Sequence, residues 1–236
     1  MEIRLSQDLA DLTWSVADYL MMQANAAITA RDVFHLAISG GSTPIPLFGL
    51  LALPEWQART DWSKIHVYWA DERCVPPQSK ESNYFMANHA LLSPIGLPEG
   101  NVHRIKGELD PQRAADEYNA LIASTTLDMI MLGMGDDGHT ASLFPQTTAL
   151  TETERHVVAN FVPQLNRWRV TLTLKAINAA SEVLFMVAGA SKQPVLAQVL
   201  SGEGDYPAKR IAPHSGKITW FVDQAAMGRV EPPTRL

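Results

Sequence analysis

Short apolar runs, each followed by a polar or glycine-rich loop and then by helical periodicity, recur along this 236-residue chain. The alternation predicts repeated strand–helix–strand units and an α/β fold with a mostly parallel sheet flanked by helices. Continuous apolar runs suit such a sheet because its strands are buried on both faces. Strands are predicted over 33–39, 65–70, 102–105, 127–132, 156–161, 168–174, 183–188 and 217–222. Helices are predicted over 9–30, 44–53, 82–92, 111–123 and 192–200, with a short one after 223.

The composition restricts the classes of function. The formal net charge of −6 argues against general binding to nucleic acid or to anionic membranes. The single cysteine, Cys74, cannot form an internal disulfide and fits a reducing compartment. The first ten residues lack the pattern of a signal peptide, and no apolar run approaches the ~18 residues of a membrane span. We therefore expect one cytoplasmic domain over residues 1–236, monomeric or weakly homo-oligomeric, without nucleic-acid or membrane partners.

The loop Ser39–Pro44, which follows the first strongly apolar strand, has the chemistry of an anion site. Gly40 and Gly41 permit a tight turn and a close approach of the backbone to a ligand. Thr43 is expected to cap the next helix, whose free N–H groups, with the hydroxyls of Ser42 and Thr43, would meet a phosphate. The alternative is a tight, well-capped turn. The loop matches neither the Walker pattern nor the dinucleotide-binding spacing, so we expect no nucleotide cofactor.

The segment Asp71-Glu72-Arg73 closes the next apolar strand with three charges. In a site, Arg73 would pair with a phosphate or carboxylate, and Asp71 would orient a catalytic partner. The alternative is a solvated cluster of charges at the end of a strand.

The most informative stretch is 133–145, which follows an apolar strand and has three glycines in its first six positions. His139 lies in this loop, and histidine exchanges a proton near neutral pH, so it can act as a general base toward water. Asp137 could fix the tautomer of the imidazole, as the carboxylate of a hydrolase triad does. A metal site is disfavoured because no second His or Cys has ligand spacing. Ser142 lacks the Gly-x-Ser-x-Gly surroundings of a serine nucleophile.

Three segments together resemble the signature segments of the glucosamine-6-phosphate isomerase/6-phosphogluconolactonase family, and of its 6-phosphogluconolactonases in particular. They are 39–43, 69–76 with Ser82-Asn83, and 133–145. The resemblance extends from the first helix to 219–223. It implies a modified Rossmann-like fold and hydrolysis of 6-phospho-D-glucono-1,5-lactone in the oxidative pentose phosphate pathway, with no metal or organic cofactor.

The resemblance also implies roles for individual residues. His139 is implied to be the general base, and the phosphate is implied to bind the Gly40–Thr43 loop together with Arg169 and Lys192. Arg167 lies close enough in sequence to compete with Arg169 for this role. Lys192 is predicted in the first turn of a helix, where the helix dipole disfavours a cation unless an anion is bound nearby.

A mechanism follows for a lactone, which is already an activated ester. His139, steadied by Asp137 or Asp71, would deprotonate a water molecule that attacks the lactone carbonyl. Backbone N–H groups of a glycine loop, or Arg73, would stabilise the oxyanion. The phosphate contacts would orient the ring.

Two other functions are weighed against the lactonase. Amino-sugar phosphate deaminases/isomerases of the same family have an Ala-Phe-Asn-Glu segment after the histidine and Asp-Glu-Tyr after the earlier strand. This chain has Thr140–Pro145 without a glutamate, and Asp-Glu-Arg at 71–73. A non-catalytic sugar-phosphate sensor would be expected to carry a DNA-binding helix-turn-helix or a degraded site. Both comparisons favour the lactonase.

Overall fold

The computed structural model describes residues 1–228; residues 229–236, the end of the predicted 1–236 domain, lie outside the described residues. Its strands are β1 (Glu2–Ser6), β2 (Phe34–Ile38), β3 (Ile65–Trp69), β4 (Asp71–Arg73), β5 (Val102–His103), β6 (Met129–Leu132), β7 (Val157–Val162), β8 (Arg167–Leu172), β9 (Glu182–Val187) and β10 (Lys217–Asp223). Its α-helices are α1 (Leu9–Arg31), α2 (Ile45–Leu51), α3 (Pro54–Gln57), α4 (Asn83–Ala87), α5 (Ser93–Ile95), α6 (Pro111–Ala123), α7 (Leu174–Asn178), α8 (Gln193–Ser201) and α9 (Gln224–Met227).

Seven of the strands form one sheet in the order β1-β10-β9-β6-β2-β3-β5. Every neighbouring pair in this sheet is parallel. The predicted α/β class with a mostly parallel sheet is therefore confirmed. Because parallel strands place their carboxyl ends at one edge, the loops after β2, β3, β6 and β9 open on the same side of the sheet.

Three strands form a second sheet, which is antiparallel and has the order β4-β8-β7. The prediction that 71–73 is only the charged end of the preceding strand is wrong, because these residues pair with β8. The change of sheet occurs at Ala70, whose N–H donates to Ile38 at 2.9 Å while its carbonyl accepts from Leu172 at 2.8 Å. The small sheet consequently begins where β3 ends and lies beside the carboxyl edge of the large one.

Two other elements differ from the sequence prediction. Strand β1 was not predicted, because a half-exposed edge strand lacks a continuous apolar run, and it pairs with β10. The helix predicted over 82–92 is divided, since Asn88–Leu92 adopts π-helical geometry between α4 and α5.

The core follows from the periodicity of each element. In α1, Leu12, Val16, Tyr19 and Leu20 are buried, as the 3.6-residue spacing predicts. All six residues of β9 are buried, which agrees with a central position between two strands. Within residues 1–228, no helix is both long and apolar enough to cross a membrane.

Candidate active site

A cavity of about 420 Å³ opens at the carboxyl edge of the large sheet. It is lined by the segments that follow β2, β3, β6 and β9, of which the second comprises β4 and the start of α4. The polar lining residues include the predicted Gly40, Gly41, Ser42, Thr43, Asp71, Arg73, His139 and Lys192. Residues from four separate parts of the sequence are thus brought to one cavity by the topology of the sheet.

The loop after β2 differs locally from its prediction. Thr43 does not cap α2: the residue before the helix is Pro44, which makes no side-chain cap and already has helical dihedral angles. The helix therefore begins one residue later than a Thr43 cap requires. Gly41 has a φ of +98°, a conformation that favours glycine, and no atom lies within 4 Å of where its Cβ would be. The loop is open toward the cavity at this position.

Gly40 is required by a different contact. A Cβ at Gly40 would lie 1.8 Å from Oδ1 of Asn83, so the absence of a side chain makes room for Asn83. Asn83 is buried and donates from Nδ2 to the Asp71 carbonyl at 2.9 Å and to Oδ1 of Asp71 at 3.3 Å. Asn83 also lines the cavity. Its role was missed from the sequence, where the only signal was the Ser82-Asn83 pair in the family segment.

The carboxylates after β3 are not solvated charges, as the alternative for this segment assumed. Asp71 and Glu72 are 6% and 2% exposed. Asp71 accepts a hydrogen bond from the hydroxyl of Ser142 at 2.6 Å. Asp71 is hydrogen-bonded to Ser142, whereas Asp137 contacts the imidazole of His139.

Glu72 supports the cavity wall from behind. It accepts from the backbone N–H groups of Asn83 and Tyr84 at 2.7 and 2.8 Å and from the Ser82 hydroxyl at 2.9 Å. Burial raises the pKa of Glu72, and these hydrogen bonds oppose the rise. The carboxylate thereby holds the start of α4, which carries Asn83 to the cavity.

His139 and Asp137 form a close pair in the loop after β6. Nδ1 of His139 lies 2.5 Å from Oδ1 of Asp137, which also accepts the His139 backbone N–H at 3.1 Å. Burial alone would raise the pKa of Asp137, but the hydrogen bonds from His139 outweigh it, and the net pKa is lowered. An ionised Asp137 only accepts, so Nδ1 carries the proton and Nε2 is left as the basic nitrogen.

Close packing around this pair explains two of the loop's glycines. A Cβ at Gly135 would lie 2.1 Å from Nδ1 of His139. Gly138 has a φ of +74°, and a Cβ there would lie 2.5 Å from the ring of Tyr206. The Gly138 carbonyl accepts from the Ala208 N–H at 3.0 Å, so the segment around Tyr206 fixes the turn that presents His139.

Lys192 reaches the cavity from the turn after β9. It is the residue immediately before α8, one position earlier than the predicted first turn. Its ammonium lies 2.7 Å from Oδ1 of Asp136, which also accepts from the Ser191 hydroxyl at 3.1 Å. The hydrogen bond from Lys192 is the main cause of the lowered pKa of Asp136. The sequence offered no signal for this pairing, since Asp136 precedes Lys192 by more than fifty positions.

The arginines occupy different places. Arg73 lines the cavity and donates from Nη1 to the Glu81 carbonyl at 2.7 Å. Arg169 is the antiparallel partner of Arg73 across β4 and β8, but it lines a second cavity of about 400 Å³. Arg167 lines this second cavity too, is exposed, and lies 3.9 Å from Glu81. Neither predicted phosphate-binding arginine on β8 therefore lines the larger cavity.

Among residues 1–228, no group of three or more His, Cys, Asp or Glu side chains is arranged to hold a metal ion. Three histidines outside the cavity lie on β2, β3 and β5. Nδ1 of His66 lies 2.9 Å from Nε2 of His103, and Nδ1 of His35 lies 3.1 Å from the Tyr68 hydroxyl. This histidine row belongs to the flank of the sheet and not to the site.

Comparison with known proteins gives consistent results. Residues 7–220 match the family model described as "Glucosamine-6-phosphate isomerases/6-phosphogluconolactonase". The 6-phosphogluconolactonase of Nostoc sp. is 39% identical over 222 residues, 89% of this chain and 90% of the relative. That of Synechocystis sp. is 40% identical over 219 residues, 87% of this chain and 88% of the relative.

A solved structure supports the same relationship. The 6-phosphogluconolactonase of Thermotoga maritima is 30% identical and superposes with a TM-score of 0.82, covering 94% of this chain and 99% of that chain. A monomeric glucosamine-6-phosphate deaminase is 20% identical with a TM-score of 0.82, covering 96% of this chain and 98% of that chain, which shows a shared fold only. The chain belongs to the glucosamine-6-phosphate isomerase/6-phosphogluconolactonase family.

Proposed function

We propose that this chain hydrolyses 6-phospho-D-glucono-1,5-lactone to 6-phospho-D-gluconate, the second step of the oxidative pentose phosphate pathway. Five relatives that are 36–40% identical over most of the chain are named as 6-phosphogluconolactonases. The observation that carries the proposal is the carboxylate-oriented His139, which lies in the same cavity as the Gly40–Thr43 loop and Lys192. A base and an anion site in one cavity are what a phosphorylated lactone requires.

His139 is the proposed general base. With Nδ1 hydrogen-bonded to Asp137, its Nε2 can take a proton from a water molecule as that water attacks the lactone carbonyl. Asp137 stabilises the imidazolium that forms and keeps the ring in its orientation, which is the role of the carboxylate in a hydrolase triad. Asp71 is 6% exposed and held by Ser142, so it is a fixed acceptor for a substrate hydroxyl.

Stabilisation of the tetrahedral oxyanion is assigned to donors that line the cavity. Backbone N–H groups of Gly133 and Met134 are one source, since the Gly135 N–H already donates to the His139 carbonyl at 2.8 Å, and the Arg73 guanidinium is another. Nη1 of Arg73 donates to the Glu81 carbonyl at 2.7 Å, so the guanidinium keeps further N–H donors for the oxyanion. Preorganised donors of this kind typically contribute about 10²–10³-fold to the rate.

The phosphate is proposed to lie between the Gly40–Thr43 loop and Lys192. Lys192 has three N–H donors and uses one on Asp136, so it can contact a phosphate oxygen as well. Arg169 is proposed to turn from the second cavity toward the phosphate when substrate binds. It is the better candidate of the two arginines, because it is half-buried beside Arg73 whereas Arg167 is exposed.

The wider assignment is part of the same proposal. We place residues 1–236 in one domain that acts in the cytoplasm as a monomer or weak homo-oligomer, without nucleic-acid or membrane partners and without a metal or organic cofactor. The net charge of −6 and the lone Cys74 support this assignment.

The experiment is a pH-stat or coupled assay of lactone hydrolysis above the spontaneous rate, with phosphorylated and unphosphorylated gluconolactone. We expect acceleration of the phosphorylated lactone and much weaker acceleration of the other. His139→Ala should lower kcat by roughly 10²–10⁴-fold. Absence of acceleration would overturn the lactonase assignment, and ammonia release from glucosamine 6-phosphate would favour the deaminase instead. The segment 140–147 has no carboxylate, which argues against that second reaction.

A further inference from the structure

Phe144 lies directly against the imidazole of His139. The two ring centroids are 4.0 Å apart and the ring planes meet at 20°, so the rings are stacked face to face. Phe144 is only 7% exposed, yet it lies outside the main hydrophobic core formed by the buried residues of 1–228. It also lies outside the set of residues that line the cavity, whereas His139 belongs to that set. Its ring therefore acts on the site through the imidazole.

The loop that carries Phe144 is held in an unusual conformation. Ala141 and Gln146, on either side of it, have φ values of +48° and +64°, which residues other than glycine rarely adopt. Such dihedral angles cost of order 1–3 kcal/mol each and persist only where surrounding contacts impose them. The path of the chain between these two residues is consequently determined by tertiary contacts.

Those contacts are buried hydrogen bonds. The Ser142 hydroxyl donates to Asp71 at 2.6 Å, and the Ser142 carbonyl accepts from the Asn160 side chain at 2.9 Å. The Thr147 hydroxyl donates to the Phe144 carbonyl at 2.8 Å. Because Ser142, Thr147 and Asn160 are all buried, these bonds are protected from water and fix the backbone of Phe144 on both sides.

The geometry of the stack favours one protonation state. Neutral aromatic pairs prefer offset or edge-to-face arrangements over a parallel sandwich. A cation over the face of a ring is attracted by the ring quadrupole, by about 0.5–1 kcal/mol at exposed sites and more when water is excluded. His139 becomes a cation each time it takes a proton from the attacking water, and at that moment the ring of Phe144 lies beneath it.

We propose that Phe144 is a positioning residue for the reaction: its ring fixes the plane of the His139 imidazole and stabilises the imidazolium formed during water attack. The proposal rests on the proposed function, in which His139 is the base. Asp137 holds the ring at one edge through Nδ1, and Phe144 supports its face, so the direction of Nε2 is defined by two independent contacts.

The test compares Phe144→Leu and Phe144→Tyr with the wild type over pH 5–9, measuring kcat and KM separately. Loss of the ring face in Phe144→Leu should destabilise the imidazolium and shift the acid limb of kcat/KM by about half a pH unit toward lower pH. Its plateau kcat should fall about tenfold with KM nearly unchanged, because Phe144 does not line the cavity. Phe144→Tyr keeps the ring face. Its acid limb of kcat/KM should therefore stay at the wild-type pH, and it should keep most of the wild-type kcat.

Phe34→Leu is the matched control for packing. Phe34 is 2% exposed and lies at the start of β2, far from the carboxyl edge, so this variant loses stability without touching His139. An acid limb that stays in place in Phe144→Leu, with a loss of kcat no larger than in Phe34→Leu, would overturn the proposal. Failure of the proposed function is separable, because the wild type would then not accelerate hydrolysis of the phosphorylated lactone, or His139→Gln would keep the wild-type rate.

Discussion

Nδ1 of His139 lies 2.5 Å from Oδ1 of Asp137, although the two residues are separated by only one other in the sequence. The contact is possible because Gly138 has a φ of +74°, which turns the chain back on itself. The same Asp137 oxygen accepts the His139 N–H at 3.1 Å. The carboxylate therefore orients the ring through both the side chain and the backbone of His139, and Nε2 is the nitrogen available to water.

Replacing Asp137 by Asn should lower the plateau kcat by roughly 10²–10⁴-fold, because an amide can donate to Nδ1 and hold the wrong tautomer without stabilising the imidazolium. The measurement is kcat for the phosphorylated lactone across pH 6–9. Asp18→Asn is the control, since Asp18 is an exposed carboxylate on α1 that pairs with Arg59. A variant at 137 with wild-type kcat would remove the Asp137–His139 pair from the mechanism.

Replacing Gly138 by Ala should disturb the same turn by a steric route. Alanine would have to adopt the positive φ of this position, and its Cβ would lie 2.5 Å from the ring of Tyr206. We expect the free energy of unfolding to fall by about 1–3 kcal/mol and kcat/KM to fall at least tenfold, as measured by urea denaturation and steady-state kinetics.

The control is Gly96→Ala, which shares the positive φ of +65° but has no atom within 4 Å of the added Cβ. It should lose about 1 kcal/mol or less and keep full activity. Equal effects of the two alanine variants on kcat/KM would show that the Tyr206 contact does not position His139.

Replacing Lys192 by Met should act on binding of the phosphate. Loss of a charged hydrogen bond, about 1.5–3 kcal/mol, corresponds to a rise in KM for the phosphorylated lactone of about 10–100-fold, with a much smaller change in kcat. Hydrolysis of the unphosphorylated lactone should be unchanged. Lys175→Met is the control, because Lys175 lies in α7 and donates to the Glu154 carbonyl away from the cavity. An equal loss with both lactones would contradict a phosphate role for Lys192.

Much of the large sheet could be predicted because parallel strands buried on both faces must be apolar throughout, as the six residues of β9 are. The shared carboxyl edge then places the loop at 39–44 beside the loop at 133–139 without further information. Strand β1 could not be predicted in this way, because an edge strand with one exposed face has a mixed sequence.

Other parts of the site depend on contacts between residues distant in sequence. Strand β4 has three charged residues and exists because it pairs with β8, almost a hundred positions later. The path of the loop at 140–147 is set by buried hydrogen bonds such as that from Ser142 to Asp71, so local propensity gives no indication that Phe144 will stack on His139. Side-chain partners of this kind become visible only in the folded arrangement.

The histidine row predicts loss of stability in mild acid. Burial is the main cause of the lowered pKa of His35, His66 and His103, and their mutual proximity adds to the lowering for His35 and His103. The 2.9 Å contact between His66 and His103 also needs one nitrogen as an acceptor, which protonation of both rings removes. The folded state thus favours the neutral form of each imidazole. The stabilisation that each histidine contributes is fully present above its ordinary pKa of about 6.5 and is lost as the pH falls below that value. Asp128 beside His35 opposes this trend in part, although it is paired with Arg31.

Replacing His103 by Phe should therefore reduce the loss of stability between pH 7.5 and 5.5. The phenyl ring can keep the stack on Tyr68, whose ring centroid lies 4.4 Å from that of His103, while the titrating group is removed. The measurement is the midpoint of urea denaturation at pH 7.5 and at pH 5.5. Midpoints are compared between proteins whose unfolding free energy depends equally steeply on the urea concentration. His214→Phe is the control, since His214 is an exposed histidine outside the row. The two variants and the wild type would lose stability equally between pH 7.5 and 5.5 if the row did not titrate in this range.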